Sequence, residues 1–131
     1  MIALVGTVDG VFRIDLDLEE MIDADPDGRL SAPAVAISLP RLVAAASSGS
    51  TVVAVVDARP PLAVSHDAGS TWTEAGGGLP KGRAVAVAED NPDLVLYGAR
   101  NRLYLSRDGG RFWSALPFEV PEIEAVELSS A

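Results

Sequence analysis

Ser65-His66-Asp67-Ala68-Gly69-Ser70-Thr71-Trp72 and Ser106-Arg107-Asp108-Gly109-Gly110-Arg111-Phe112-Trp113 are two copies of one pattern: Ser, Asp and Gly at alternate positions, then Thr or Phe, then Trp. Each copy has the chemistry of a tight turn. The Asp carboxylate can accept bonds from the turn's own N–H groups, and the Gly supplies a positive φ. The Trp offers a large face for packing and an indole N–H to donate. Short strand-like runs lead into the copies, Leu62 to Ser65 and Leu103 to Ser106, and a new strand starts at Trp72 and at Phe112-Trp113. Each copy is therefore a hairpin between two strands.

Working outward, the hairpins belong to a longer repeat. Three Leu-Pro pairs, Leu39-Pro40, Leu79-Pro80 and Leu116-Pro117, stand 40 and 37 positions apart. Each is followed by a small-residue apolar run: Arg41 to Ala46, Arg83 to Ala88, and Ile123 to Leu128. Small residues suit the innermost strands of a radial array, where chains crowd around an axis. A second strand follows a polar turn, Thr51 to Val56 after Ser48-Gly49-Ser50 and Leu94 to Ala99 after Glu89 to Asp93; Ile2 to Thr7 is its counterpart at the start. The third strand is Gly10 to Ile14, Leu62 to Ser65 or Leu103 to Ser106, and the fourth ends before Leu-Pro.

With strands lettered A to D from the axis outward, the chain reads BCD, ABCD, ABCD, A. Four-stranded units recurring at about 40 residues predict an all-β fold of β-propeller blades, three four-stranded antiparallel blades per chain. The whole of 1–131 reads as one domain: blade 1 over 1–38 without strand A, blade 2 over 39–78, blade 3 over 79–118, and a C-terminal strand over 119–131 that completes a first blade. The fourth strand of blade 1 is placed within Leu16 to Ile22 or Leu30 to Ile37, and Asp17 to Ala24 can form a helical turn. Three blades leave strand edges unpaired. The expectation is a head-to-tail homodimer, each tail entering the other chain's first blade to close a six-bladed ring.

The two hairpins resemble the Asp-box of BNR repeats, carried by Ser65, Asp67, Gly69, Trp72 and by Ser106, Asp108, Gly110, Trp113. In blade 1 the equivalent stretch, Ile14 to Glu19, has neither Gly nor Trp. The resemblance runs from Ile2 to about Leu128 and is to the propellers of sialidases, oligoxyloglucan-type glycoside hydrolases, sortilin ectodomains and photosystem II assembly factors. It implies a structural role for the Asp-boxes, at the blade periphery and away from any ligand. Those families share a fold and differ in function, so the fold gives no activity.

Composition narrows the classes. Of 131 residues, 48% are hydrophobic, enough to fold, and no run is long enough to span a bilayer. There is no cysteine, hence no disulfide framework and no thiolate metal or redox chemistry. The start has no basic region before its apolar residues, so the expected location is cytoplasmic, with no membrane partner. The net charge of −9 opposes a phosphate backbone, so no nucleic-acid partner is expected. One lysine, Lys81, stands against nine arginines. Acidity with so little lysine suits concentrated salt; a GC-rich genome produces the same bias.

In propeller proteins of this kind ligands meet the face where the B–C and D–A loops gather. Here the B–C loops are Thr7 to Gly10, Ala58 to Pro61 and Ala99 to Arg102, and the D–A loops carry Arg41, Lys81 and Arg83 beside Glu119 and Glu122. Arg59, Arg100 and Arg102, with Asn101 and Asp9, are the candidate ligand-binding residues. Guanidinium groups suit bidentate capture of a carboxylate or phosphate, so the expected partner is a protein or a small anionic ligand at the ring axis. The bland alternative is a set of solvated loops paired with nearby acids.

The enzyme alternative is a glycoside-hydrolase or sialidase-like activity or its remnant. It needs an arginine triad and a tyrosine nucleophile, or two carboxylates at a set separation. Tyr97 and Tyr104 both lie in strands, and Asp9, Asp57 and Glu122 are loose candidates. No catalytic residue, metal site or cofactor is assigned. Asp23-Ala24-Asp25-Pro26-Asp27-Gly28 opens like a calcium loop, but Ala34 stands where the closing Glu belongs, and it reads as an acidic surface loop. His66, the lone histidine, falls at a variable turn position. Nothing matches a P-loop, a dinucleotide fingerprint or a nucleophile elbow.

Overall fold

The computed structural model describes residues 1–31 and 37–129. It contains twelve strands: β1 (Ile2–Thr7), β2 (Gly10–Asp15), β3 (Glu20–Asp25), β4 (Leu42–Ser48), β5 (Thr51–Val56), β6 (Leu62–Ser65), β7 (Thr73–Ala75), β8 (Ala84–Ala88), β9 (Asn91–Ala99), β10 (Arg102–Ser106), β11 (Ser114–Glu119) and β12 (Ile123–Ser129). They form three antiparallel four-stranded sheets, ordered β12-β1-β2-β3, β4-β5-β6-β7 and β8-β9-β10-β11. No helix occurs among the described residues.

β12 joins the first sheet of its own chain. Val5 stands opposite Val126 and Ala3 opposite Leu128, with one bulge at Gly6/Thr7. The expected place of the tail, in the first blade of a second copy, is thus filled within the chain. β12 packs beside β8, and β8 beside β4. The blades therefore fan out in the order 2, 3, 1, with their innermost strands side by side.

Blade 3 is the middle of the fan, and its sequence shows it. On β8 and β9 every other side chain turns to one neighbour. Ala84, Ala86, Ala88, Leu94 and Leu96 pack with Ala3, Val5, Ile14 and Ile123 of blade 1. Val85, Val95 and Tyr97 pack with Val53, Val55, Leu62 and Val64 of blade 2. A sheet buried on both faces reads as a continuous apolar run, as Leu94 to Ala99 does. Deleting a buried Leu such as Leu96 costs about 2–5 kcal/mol in a packed core of this kind.

The fourth strand of blade 1 differs from expectation. It spans Glu20–Asp25, shifted from Leu16 to Ile22, and Asp17 to Ala24 forms a turn and a strand where a helical turn was expected. The other expected placement, Leu30 to Ile37, includes residues 32–36, which lie outside the described residues, as does Ala34. All six β3 residues are exposed, so no inward stripe marks the strand in sequence. The turn before it is built by Asp15, whose Oδ1 accepts the N–H groups of Asp17 (2.9 Å) and Leu18 (3.1 Å). After β3 the chain folds back: a Cβ on Gly6 would lie 2.8 Å from the Leu30 side chain, so glycine is what lets residues 28–30 lie against β1.

Candidate functional site

Every B strand ends, and every A and C strand begins, at one face of the fan; the A–B and C–D turns lie at the other. The second face is acidic. Asp15, Asp17, Glu19, Glu20, Asp67, Glu89, Asp90, Asp93 and Asp108 occur there against Arg107 and Arg111.

The two Ser-x-Asp-x-Gly hairpins sit on that acidic face and bond to themselves. Ser65 Oγ donates to Asp67 Oδ1 (2.7 Å) and accepts the Gly69 N–H (2.8 Å). Asp67 accepts both the N–H (2.8 Å) and the hydroxyl (2.5 Å) of Thr71. In the second copy Ser106 Oγ donates to Asp108 (2.8 Å) and accepts the Gly110 N–H (2.8 Å), Asp108 accepts the Phe112 N–H (3.0 Å), and Trp113 Nε1 donates to the Gly110 carbonyl (3.0 Å). These bonds favour the carboxylate form. The Thr71 hydroxyl and N–H, then Ser65, draw the Asp67 carboxyl down to about 2. The Phe112 N–H, then Ser106, lower that of Asp108. Asp67 engages both of its oxygens in the turn and Asp108 its Oδ1, so both carboxylates serve the hairpins first.

The B–C and D–A loops of blades 2 and 3 make a basic patch. Arg41, Arg59, Lys81, Arg83, Arg100 and Arg102 gather there against Asp57 and Glu119. Two of the bases are neutralised: Lys81 Nζ meets Asp57 at 3.0 Å, and Arg102 meets Glu119 at 3.0 Å. Among the described residues Arg41, Arg59, Arg83 and Arg100 form no ion pair. Six of the ten basic residues of a chain with net charge −9 thus collect in one patch.

Two of these arginines are held in a conformation that L-residues avoid. Arg41 has φ 60° and Arg100 φ 58°. Arg100 is the first central residue of the two-residue β9–β10 hairpin, a place that favours glycine. Both are stitched in place through the backbone: the Arg41 carbonyl accepts the Asp57 N–H (2.9 Å), and the Arg100 carbonyl accepts the Ile123 N–H (2.6 Å). Asn101 uses its carbonyl on the Val120 N–H (2.9 Å).

Asp9 stands apart from these residues. It lies in the β1–β2 hairpin, at the blade 1 end of the same face with Asp25, Asp27 and Glu122, and its N–H bonds to Thr7 Oγ1 (3.1 Å). The axial cleft, of about 600 Å³, is lined by Ala46 to Ser48, Val85 to Val87 and Val126 to Leu128 with Glu89 and Glu127. None of Arg59, Arg100 or Arg102 lines it. The sequence-predicted arginines gather at the loop face, not inside the cleft.

The tyrosines separate. Tyr97 is fully buried; its hydroxyl donates to the Pro80 carbonyl (2.7 Å), and burial pushes its pKa up, so it is held neutral. Tyr104 is half-buried, 6.2 Å from the Tyr97 ring, and floors a groove of about 730 Å³ between blades 2 and 3. Arg59, Pro60, Pro61, Leu79 and Pro80 wall that groove. Sequence reasoning missed it, because its lining comes from three separate stretches; the Leu79-Pro80 repeat marker was the one visible part. His66 is exposed, its Nδ1 3.4 Å from Thr51 Oγ1. Asp23 pairs with Arg13 across β2 and β3 (Nε to Oδ1 2.8 Å), and that bond lowers its carboxyl pKa.

Neither a family model nor a curated protein matches the chain. Solved structures do. A GH74 enzyme of Niastella koreensis matches at 20% identity and TM-score 0.53, over 90% of this chain and 17% of that one. YCF48 bound to D1 peptide matches at 17% identity and TM-score 0.50, over 87% of this chain and 35% of that one. Both are β-propeller proteins, and at these identities the likeness defines the class and nothing finer: the three sheets are propeller blades. The chain spans well under half the length of either.

Proposed function

We propose that this chain is a non-enzymatic propeller module that holds an anionic protein segment on the basic patch over blades 2 and 3. The observation that carries this reading is a local segregation of charge: six bases beside two acids over blades 2 and 3, at one end of a face whose blade 1 end holds Asp9, Asp25, Asp27 and Glu122, in a chain whose opposite face is acidic. Such a field draws carboxylates to the patch and repels them elsewhere. Arg41 and Arg100 add a second support, since strained backbone at exposed cationic positions is a feature of ligand-binding loops. The peptide bound to YCF48 is a precedent on a similar fold. On this reading the Ser65 and Ser106 hairpins are Asp-boxes that hold the blade rims.

A second copy of the chain completes the ring to six blades. Val8, Leu18, Met21 and Ile22 of blade 1 and Leu42 and Val43 of blade 2 are exposed large apolar side chains on the two outer blades of the fan, against Phe112 alone on the middle blade among the described residues. Apolar exposure of this kind marks an association surface.

Fluorescence anisotropy with a labelled oligoglutamate tests the binding reading. Binding that weakens as salt rises, and is lost in Arg59→Glu and Arg100→Glu, is expected. Unchanged binding in both variants, or no binding at low salt, overturns it.

A further inference from the structure

We propose that the groove between blades 2 and 3 takes one aromatic side chain of an acidic protein segment, whose carboxylates then lie along the basic patch. This rests on the patch reading above and names its partner more closely. The groove is floored by the Tyr104 ring and walled by Pro60, Pro61, Leu79 and Pro80. Three of the eight lining residues are prolines, whose fixed φ narrows what that part of the wall can sample and so lowers the ordering needed on binding. Apolar and aromatic linings with a few polar groups are the usual make-up of an anchor pocket.

The polar groups are in position. Among the described residues the Tyr104 hydroxyl makes no hydrogen bond, although its ring is half-buried against Tyr97. Arg59 is exposed at the rim. Arg102 lies two residues before Tyr104 on β10, on the same face of the strand. An aromatic ring in the groove therefore places a flanking residue against the free Arg59 guanidinium, while Arg102 on the Tyr104 side is paired with Glu119. Positive charge at the rim fits acidic flanks, and a basic segment is disfavoured there.

Gly77 offers a clean test. It lines the groove, and a Cβ built on it meets nothing within 4 Å. Gly77→Trp is designed to plug the groove from its rim, which it shares with the neighbouring hollow beside Gly76 and Arg111; Gly77→Phe is a smaller plug should the first disturb folding. The probes are two nonapeptides of eight glutamates with a central tryptophan or a central alanine. The tryptophan peptide should bind the unaltered chain roughly tenfold tighter, the worth of burying one aromatic side chain. In the plugged variants, with folding confirmed by thermal unfolding, that advantage should vanish while the alanine peptide binds as before. Equal affinity of the two peptides for the unaltered chain, or an advantage that survives the plug, overturns the groove and leaves the patch standing. Failure of both peptides to bind overturns the patch and the groove together.

Discussion

The Asp57 carboxylate meets Lys81 Nζ at 3.0 Å, joining the B–C loop of blade 2 to the loop that leads into blade 3. Both side chains are more than 60% exposed, so the pair contributes little to stability. Its effect is on the field of the patch: it removes one cation from the set open to a ligand. Asp57→Asn should leave the unfolding midpoint nearly unchanged. It should tighten oligoglutamate binding by about twofold to fivefold at low salt, an advantage that shrinks as salt rises. Anisotropy titrations at two salt concentrations check this.

Gly82 and Tyr97 share one space. A Cβ on Gly82 would lie 2.1 Å from the Tyr97 ring, which is fully buried and fixed by its bond to the Pro80 carbonyl. Gly82→Ala should cost about 3 kcal/mol through overpacking. Tyr97→Phe should cost only about 1 kcal/mol, the worth of one hydrogen bond. Urea denaturation of the two variants measures both.

The carboxylates of the two Ser-x-Asp-x-Gly hairpins set an acid limit. The folded-state pKa of Asp67, about 2, lies below the usual carboxylate value of about 3.9, and that of Asp108 is lowered too. A group whose folded pKa is depressed stabilises the fold above its unfolded pKa, and that contribution is lost as pH falls through the folded value. The Asp67→Asn/Asp108→Asn variant should therefore be less stable than the unaltered chain at pH 6, with the difference closing between about pH 4 and pH 2. Thermal unfolding across that range reads it directly.

The outer blades predict self-association. Light scattering at rising concentration should show a species of twice the 13.6 kDa chain mass. Met21→Glu together with Leu42→Glu, both at exposed apolar positions, should abolish it. A chain that stays monomeric at all concentrations contradicts the ring.

Much of the fold was legible because the repeats carry local chemistry. The hairpins at Ser65 and Ser106 and the small-residue strands β4, β8 and β12 announce themselves by turn residues and composition. β3 did not, since a fully exposed edge strand reading Glu-Met-Ile-Asp-Ala-Asp has no buried stripe for alternation to reveal. The partner of β12 was illegible for another reason. Antiparallel pairing with β1 has the same register and hydrogen bonds whether β1 is in the same chain or in another, so pattern alone does not decide. The basic patch was half visible: the arginines stood out as loop residues, but the pairing of Arg102 with Glu119 and the remoteness of Asp9 depend on which loops meet. The Tyr104 groove depends wholly on blade packing.

The patch itself is tested most directly by following the backbone amide resonances of the ¹⁵N-labelled chain while the tryptophan nonapeptide is added. Shifts confined to Arg41, Arg59, Lys81, Gly82, Arg83, the Arg100–Arg102 hairpin and Tyr104 are the predicted result. Shifts centred on the Asp67 and Asp108 hairpins, or none at saturating peptide, would contradict it.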